Sequence, residues 1–255
     1  VFSIPKSLRL YFKYDRALLS DLCRCANISL KRFFRTALHL PQGQIGAVTA
    51  IQTFGDYANW HPHLHLLVAD GLFVGNGVFH VLPKVDITPL CELFRAAVLR
   101  MLKKKGRIDD ALIRNLMTWR HTSGFSVHQG HQLARDDADG QEALAQYIIR
   151  NSFSVEKIKY QQETGTVIYT SKMTHGPNRS NFKIFTPREF IAAITQHIPE
   201  KSFQLVRYYG WYSNRGRGER SKRGLENPGV ETADSAKELA IIDISGHQPK
   251  KIPSP

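Results

Sequence analysis

Residues Asn59–Val68 read NWHPHLHLLV, and the β-branched, apolar segment Ile45–Thr53, IGAVTAIQT, stands just before them. The upstream segment predicts one strand and His63 to Asp70, HLHLLVAD, a second. On a strand, His63 and His65 point to the same face, because side chains alternate with period two. At a rise of ~3.3 Å per residue their Cβ atoms lie roughly 6 to 7 Å apart, and two imidazoles at that spacing can meet one metal ion. Leu64, Leu66 and Val68 supply apolar contacts that pack the strand into a sheet. A surface strand with incidental histidines has the same spacing, so the reading depends on what else the chain supplies.

Working outward, Val78 to Leu82 predicts a third strand after the turn-rich GLFVGNG, and the three strands form an antiparallel set. VFSIP at the start reads as a short strand. Asp15 to Leu38 has helical spacing of Leu18, Leu19, Leu22, Leu30, Phe33 and Phe34, with Asn27 expected to divide it into two helices. Pro89 to Lys105 predicts an amphipathic helix ending in three lysines, as the helix dipole favours. Asp109 to Trp119 predicts another, and Asp139 to Arg150, DGQEALAQYIIR, a short one with Leu144, Tyr147 and Ile148 on one face. Gly124 to Val127 is a candidate strand. Ile158 to Lys172 reads as a hairpin turning at Glu163-Thr164-Gly165. Thr186 and Glu189 form a capping box that opens a helix to about His197. The fold class is therefore α+β, with a central antiparallel sheet flanked by helices.

The 255 residues carry 35 Lys and Arg against 22 Asp and Glu, a formal net charge of +13 with His neutral. So basic a chain is most simply a partner for polyanions, nucleic acid foremost. A hydrophobic share of 42 % excludes wholesale disorder. No apolar run reaches the ~18 residues of a membrane span. The N-terminus has no charged-then-apolar leader, so a cytoplasmic, nucleoid-associated protein with no membrane partner is expected. Cys23, Cys25 and Cys91 are too few and wrongly spaced for a disulfide framework or a zinc knuckle, and read as reduced thiols. The chain starts at Val1, with no Met and with strand-like text at once, and is expected to be a fragment.

A metal site needs more than His63 and His65. Gln52 ends the preceding strand, where an antiparallel neighbour places it beside the pair. Asp56, in the connecting loop, is the second candidate. Pro62 is expected to turn His61 away. Two imidazoles, one oxygen and open positions completed by water and phosphate suit Mg²⁺ or Mn²⁺, with zinc possible on ligand type. Tyr147 is the candidate nucleophile. A phenol with a pKa near ~10 attacks poorly unaided. A divalent metal that polarises a phosphodiester makes the phosphorus a better target, and attack leaves a covalent phosphotyrosine. A single Tyr on an amphipathic helix is equally a packing residue.

With these residues in view, HPHLHLLV after a strand ending IQTFG resembles the HUH endonucleases (His, bulky apolar, His). The blocks QYIIRNSFSVEKIKY, TVIYTSKMTHG and FTPREFIAAITQHIPEKSFQLVRYYGWYSNR are similar to transposases of rolling-circle insertion sequences of the IS ninety-one type. Together they span most of Val1–Arg223. The resemblance implies a central antiparallel sheet with the His pair on one strand and a catalytic Tyr on a facing helix. His63 and His65 match the metal-binding pair and Tyr147 the tyrosine. Many relatives carry two tyrosines four apart; here the position four before Tyr147 is Ala143, which implies a single-tyrosine member. Relatives usually carry cysteine-rich zinc modules outside this core, and the sequence holds none.

Arg207, Tyr208, Tyr209 and Trp211 interleave cations with rings, the composition of a groove that stacks bases and tracks phosphates; an alternating core strand has it too. Arg215 and Arg217 head the basic run RGRGERSKR, a solvated segment that would add sequence-blind affinity for DNA. Lys172, His175 and Arg179 are lesser phosphate-contact candidates. The expected organisation is a catalytic domain over 1–223 and a flexible basic tail over 224–255. The expected function is a transposase that nicks and rejoins single-stranded DNA through a 5′-phosphotyrosine at Tyr147. His63, His65 and Gln52 hold the ion. A replication initiator or relaxase-like nickase, and a non-catalytic single-strand-binding fragment, are the alternatives.

Overall fold

Val48, Thr49 and Ile51 favour extended backbone at χ1, and the alternation continues through Leu64, Leu66 and Val68; the two segments pair as the centre of a sheet. A computed structural model of the chain describes residues 1–75, 77–118, 124–130, 132–134, 136–170 and 181–224. The strands of the main sheet are β1 (Phe2–Ser3), β2 (Gly46–Phe54), β3 (Trp60–Val68), β6 (Ser126–Val127) and β10 (Val206–Gly210). They run in the order β10-β2-β3-β1-β6, every pair antiparallel. The α+β class is as expected, and β3, with its three histidines, is the middle strand.

One face of this sheet is covered by α2 (Ala17–Ala37) and α3 (Thr88–Lys104). Leu18, Leu22, Ala26 and Leu30 of α2 meet Leu64 and Ile51 of the sheet, and Phe2 packs edge-on to Phe94 of α3 at 4.9 Å between ring centroids. Each fully buried Leu or Phe of this layer contributes about 1.5–3 kcal/mol. α2 is one helix, not two. Asn27 does not interrupt it, because its amide donates to the Cys23 carbonyl one turn back at 2.9 Å and to Thr49 Oγ1 at 3.1 Å. An amide whose hydrogens go to the helix's own carbonyl and to the neighbouring strand does not compete with the helix backbone for its hydrogen bonds. A short α1 (Arg9–Tyr14) precedes it, and α4 (Asp110–Thr118) follows α3.

Val78–Leu82 does not join the histidine strand. β4 (Gly71–Val74) and β5 (Val78–Val81) form their own two-stranded sheet, with Phe73 bridged to Gln44 in the segment that leads into β2. The tight turn lets GLFV fold back on VFHV, so part of the expected turn is itself a strand. A third sheet joins β7 (Ile158–Gln161), β8 (Thr166–Thr170) and β9 (Phe182–Phe185). Its small core of Val167, Tyr169, Phe185 and Phe190 is closed by α6 (Pro187–Thr195). The capping box of Thr186 and Glu189 opens α6 as expected. The basic run is the helix α7 (Asn214–Lys222), started by Ser213, whose hydroxyl accepts from the Gly216 amide. Two interior glycines are each unfavourable by about 1 kcal/mol; the N-cap and the anchoring of Arg220 on Trp211, where it donates to the carbonyl at 2.8 Å, together offset them. Residues 225–255 of the tail, and Lys172, His175 and Arg179, lie outside the described residues.

Candidate functional site

Antiparallel register places Gln52 opposite His63 and Ala50 opposite His65. Alternation sends these four side chains to the face away from α2, whose Asn27 reaches Thr49 from the other side. The His63 and His65 rings are 5.0 Å apart, and His61 lies 5.1 Å from His63. Pro62 therefore does not remove His61 from the cluster. β3 carries one extra residue there, opposite the register shift between Gln52 and Phe54, and a bulge tolerates a residue without an N–H.

α5 (Ala138–Ile149) brings the phenol to these histidines. Asp137 caps it by accepting from the Gly140 amide at 2.8 Å. None of its residues is fully buried, so hydrophobic burial alone does not hold it down. It docks through specific contacts. Gln52 Nε2 donates to the Ile148 carbonyl at 2.7 Å, and the Tyr147 ring stands edge-on to His65 at 5.5 Å. The Arg150 guanidinium lies 4.3 Å from the Tyr147 ring centroid and 5.8 Å from that of Phe54. Sequence reasoning passed over Arg150, although it follows Tyr147 by three positions, close enough to share one patch of surface.

The imidazoles are held neutral. Burial pushes His61 and His65 down to about 4, helped for His61 by Arg9 and His63, and for His65 by His63, the N-terminal ammonium and Arg150. Burial also lowers His63, more than its hydrogen bond to the His61 carbonyl raises it. That bond, 2.7 Å from Nδ1, fixes the tautomer: a carbonyl only accepts, so Nδ1 carries the proton and the Nε2 lone pair is free.

Three further electron-pair donor atoms of the cluster are buried with no partner among the described residues, His61 Nε2, His65 Nε2 and Gln52 Oε1. Buried polar atoms are rarely left unpaired, and a bound cation would satisfy them. Two neutral imidazoles and an amide oxygen on one sheet face fit a divalent ion. Among the described residues no three His, Cys, Asp or Glu side chains are grouped to hold a metal ion. Asp56 is exposed, in the 3-10 turn Asp56–Ala58, while Gln52 is 3 % exposed and faces His63.

That turn is strained: Tyr57 and Ala58 both have φ of 55°. Gln196 Nε2 and His197 Nε2 each donate to the Ala58 carbonyl at 2.9 Å. His197 Nδ1 then accepts from Thr53 Oγ1 at 3.0 Å, and the ring stacks on Trp60 at 5.8 Å. His197 thus ties the β2–β3 connection to the end of α6. Its distance in sequence from Thr53 concealed this role.

The cation–ring quartet is not gathered into one groove. Arg207 and Tyr209 pair with Thr49 and Ala47 and face α2, and Arg207 Nη2 donates to Ser20 Oγ at 2.8 Å. Tyr208, 55 % exposed, faces the side of the histidines. Trp211 is 7 % exposed, stacked on Phe73 at 4.8 Å, with Arg220 3.9 Å from its ring centroid. It is held there by Gly210, whose φ of +59° and approach to the Ile45 carbonyl leave no room for a Cβ. Strand alternation and a sharp turn thus separate four residues that are neighbours in sequence. On α7, Arg215 pairs with Glu219 at 2.9 Å and Arg217 donates to Asn214 Oδ1 at 2.6 Å.

Residues 46–220 match the family model Y2_Tnp, described as "Putative transposase". The chain is 25 % identical over 232 residues to the transposase for insertion sequence element IS801 of Pseudomonas savastanoi pv. phaseolicola, covering 84 % of this chain and 54 % of that protein. It is 24 % identical over 277 residues to "Putative transposase y4qJ" of Sinorhizobium fredii (strain NBRC 101917 / NGR234), covering 100 % and 69 %. The chain therefore spans about half the length of the first relative. No solved structure matches it. Among the described residues no helix is long and apolar enough to cross a membrane.

Proposed function

Because the chain belongs to the transposase family whose model covers residues 46–220, we propose that it nicks and rejoins single-stranded DNA through a covalent bond to Tyr147. The observation that carries this reading is the edge-on contact of Tyr147 with His65, 5.5 Å between centroids, beside the unpartnered donor atoms of His61, His65 and Gln52. A phenol next to a cluster of neutral, lone-pair-bearing side chains suits phosphoryl transfer better than packing, since Tyr147 is 46 % exposed.

His63, His65 and Gln52 are the residues that would hold Mg²⁺ or Mn²⁺. A divalent ion bound there supplies polarisation of the phosphodiester and offsets charge as it develops. The chain's own groups do the rest. Gln52 fixes the end of α5 and so the reach of the phenol. Arg150 sits over the ring, close enough for its guanidinium to pair with a phosphate oxygen. Tyr147 Oη forms a bond to phosphorus as the bond to the 3′ oxygen breaks. The phenol proton leaves to solvent, and the 3′ oxygen takes one up as a free hydroxyl. The 5′ phosphate stays on Tyr147, and a 3′ hydroxyl from another strand reverses the step, joining DNA without a nucleotide cofactor. One tyrosine at this position, with Ala143 one helical turn before it, means that each strand passes through the same phenol. Tyr208, exposed on the same face, is available to stack a base.

The test is incubation of labelled single-stranded oligonucleotides from element ends with Mn²⁺, Mg²⁺ or chelator, followed by denaturing gels and mass spectrometry. The expected result is a metal-dependent adduct on Tyr147, absent in Tyr147→Phe. Normal cleavage by Tyr147→Phe would remove the nucleophile from this scheme. Tight DNA binding with no adduct under any metal would leave a binding module.

A further inference from the structure

On the far side of the sheet from His65, two concavities of about 600 and 290 Å³ adjoin along α2. They share Ile28, Lys31 and Arg35 as walls, and between them also include Arg24, Arg32 and Tyr209. No Asp or Glu lines either one. The single acid of α2, Asp21, is 7 % exposed and already held by Arg24 at 2.6 Å and Lys105 at 3.2 Å. Lys31 and Arg32 are exposed and form no ion pair among the described residues. Apart from Arg24, the cations on the outer side of α2, Lys31, Arg32 and Arg35, have no ion-pair partner among the described residues, and β10 forms the second wall of this trough.

The backbone at the end of the trough is strained. His39 follows the last turn of α2 with φ of 54°, where the Leu40 amide closes on the Arg35 carbonyl at 3.1 Å. Glycine is the usual residue at that position, because a Cβ there is crowded by the backbone. Keeping His39 places an imidazole on the wall of the larger concavity. Arg35 is fixed at the same end, its Nε donating to the Gly43 carbonyl at 2.7 Å.

We propose that this trough binds the phosphate backbone of duplex DNA, as a second DNA surface on the face opposite the Tyr147 site. The proposal rests on the reading that the chain acts on DNA. From Arg24 to Arg35 the helix advances ~16 Å at 1.5 Å per residue, and duplex DNA presents a negative charge every ~1.7 Å of axis. Single-strand grooves stack bases on exposed rings. Here the rings on the walls are the half-buried Tyr209 and the single exposed imidazole of His39, so cations outnumber stacking platforms and the complementarity is to phosphate. The sheet separates this face from the phenol, as alternation sets Thr49 beneath Asn27 and Gln52 beside His63. A duplex held on one face and a single strand cut on the other suit DNA that is part paired and part open.

The experiment uses the 255-residue chain, a fluorescent 30-base-pair duplex and a fluorescent oligothymidine, with anisotropy read across a salt series. Lys31→Ala/Arg32→Ala is compared with wild type and with Lys84→Ala/Lys104→Ala, which removes the same charge elsewhere. The expected result is a log–log salt slope on duplex smaller by ~1.8 and a duplex Kd weaker by roughly ten- to sixtyfold near 0.1 M salt. Oligothymidine binding changes less than about twofold, and circular dichroism shows an unchanged fold. Equal duplex affinity and slope in wild type and variant would overturn the proposal, as would an equal loss in the control variant or an equal loss on oligothymidine. Adduct formation on Tyr147 is measured in parallel. Loss of duplex binding without any wild-type adduct supports the trough while removing the nicking reading. A normal adduct with unchanged duplex binding does the reverse.

Discussion

Gln52 donates an amide hydrogen to the carbonyl of Ile148 at 2.7 Å while its own oxygen lies buried and unpartnered on the His63 side. One side chain thus touches both halves of the candidate site. It ties the end of the tyrosine helix to the strand and, in the proposed scheme, would offer the third donor to an ion. The two roles use different atoms, so substitution can separate them.

Gln52→Glu keeps an oxygen for the ion but sets a carboxylate against the Ile148 carbonyl. Gln52→Ala removes both functions. An unmade hydrogen bond to a buried group costs about 1–3 kcal/mol, and α5 has no buried side chain to compensate. Both variants should release α5, seen as faster proteolytic cleavage within residues 138–150, and adduct formation should fall at least about tenfold. Wild-type proteolysis of Gln52→Ala would show that this bond does not dock the helix.

Arg150 lies 4.3 Å from the Tyr147 ring centroid. A charge-assisted contact to phosphate is worth about 1.5–3 kcal/mol. Arg150→Gln should slow single-turnover adduct formation by roughly ten- to a hundredfold, and Arg150→Lys should recover part of it. An unchanged rate in Arg150→Gln would leave the guanidinium a packing role only.

Acid should destabilise the fold well above the carboxylate range. His61 and His65 titrate near 4 in the folded chain, against about 6.5 when unfolded, and His63 and His197 are shifted the same way by burial. Between these values the unfolded chain binds more protons than the folded one. The contribution is therefore complete above about pH 6.5 and is lost as the pH falls through the folded values. Thermal melts at pH 7.0, 5.5 and 4.5 should show falling Tm, with a smaller fall in His61→Asn/His65→Asn. A flat profile would mean that the imidazoles are hydrated in solution.

Mn²⁺ should raise the Tm of the wild type through preferential binding to the folded state, and should not do so for His63→Ala/His65→Ala. Chelator should leave the circular dichroism spectrum intact, because the apolar layer beneath α2 does not depend on an ion. Unfolding by chelator would instead mark a structural metal.

His197→Ala should cost about 2–3 kcal/mol, read from urea melts, because it leaves the Ala58 carbonyl and Thr53 hydroxyl short of a partner under a strained turn. Loss of less than about 0.5 kcal/mol would show that Gln196 holds the turn alone.

Much of this was legible in the sequence, because it depends on local periodicity. The alternation of β2 and β3, the one-face placement of His63 and His65, the capping box at Thr186 and the hairpin turning at Gly165 are set by residues close together in the chain. Elsewhere local rules misled. Asn27 resembles a helix breaker until Thr49 comes within reach of it. Arg207, Tyr208, Tyr209 and Trp211 form one cluster on paper. On the strand they divide between two faces, and Trp211 turns into the core against Phe73. What only the tertiary structure decided are the meetings across long stretches of chain: Gln52 with Ile148, Tyr147 with His65, His197 with Thr53, and α2 with the β10 edge. Periodicity says which face a side chain takes. Which partner stands across from that face depends on how distant elements share the burial of one apolar layer, and that is a property of the whole chain.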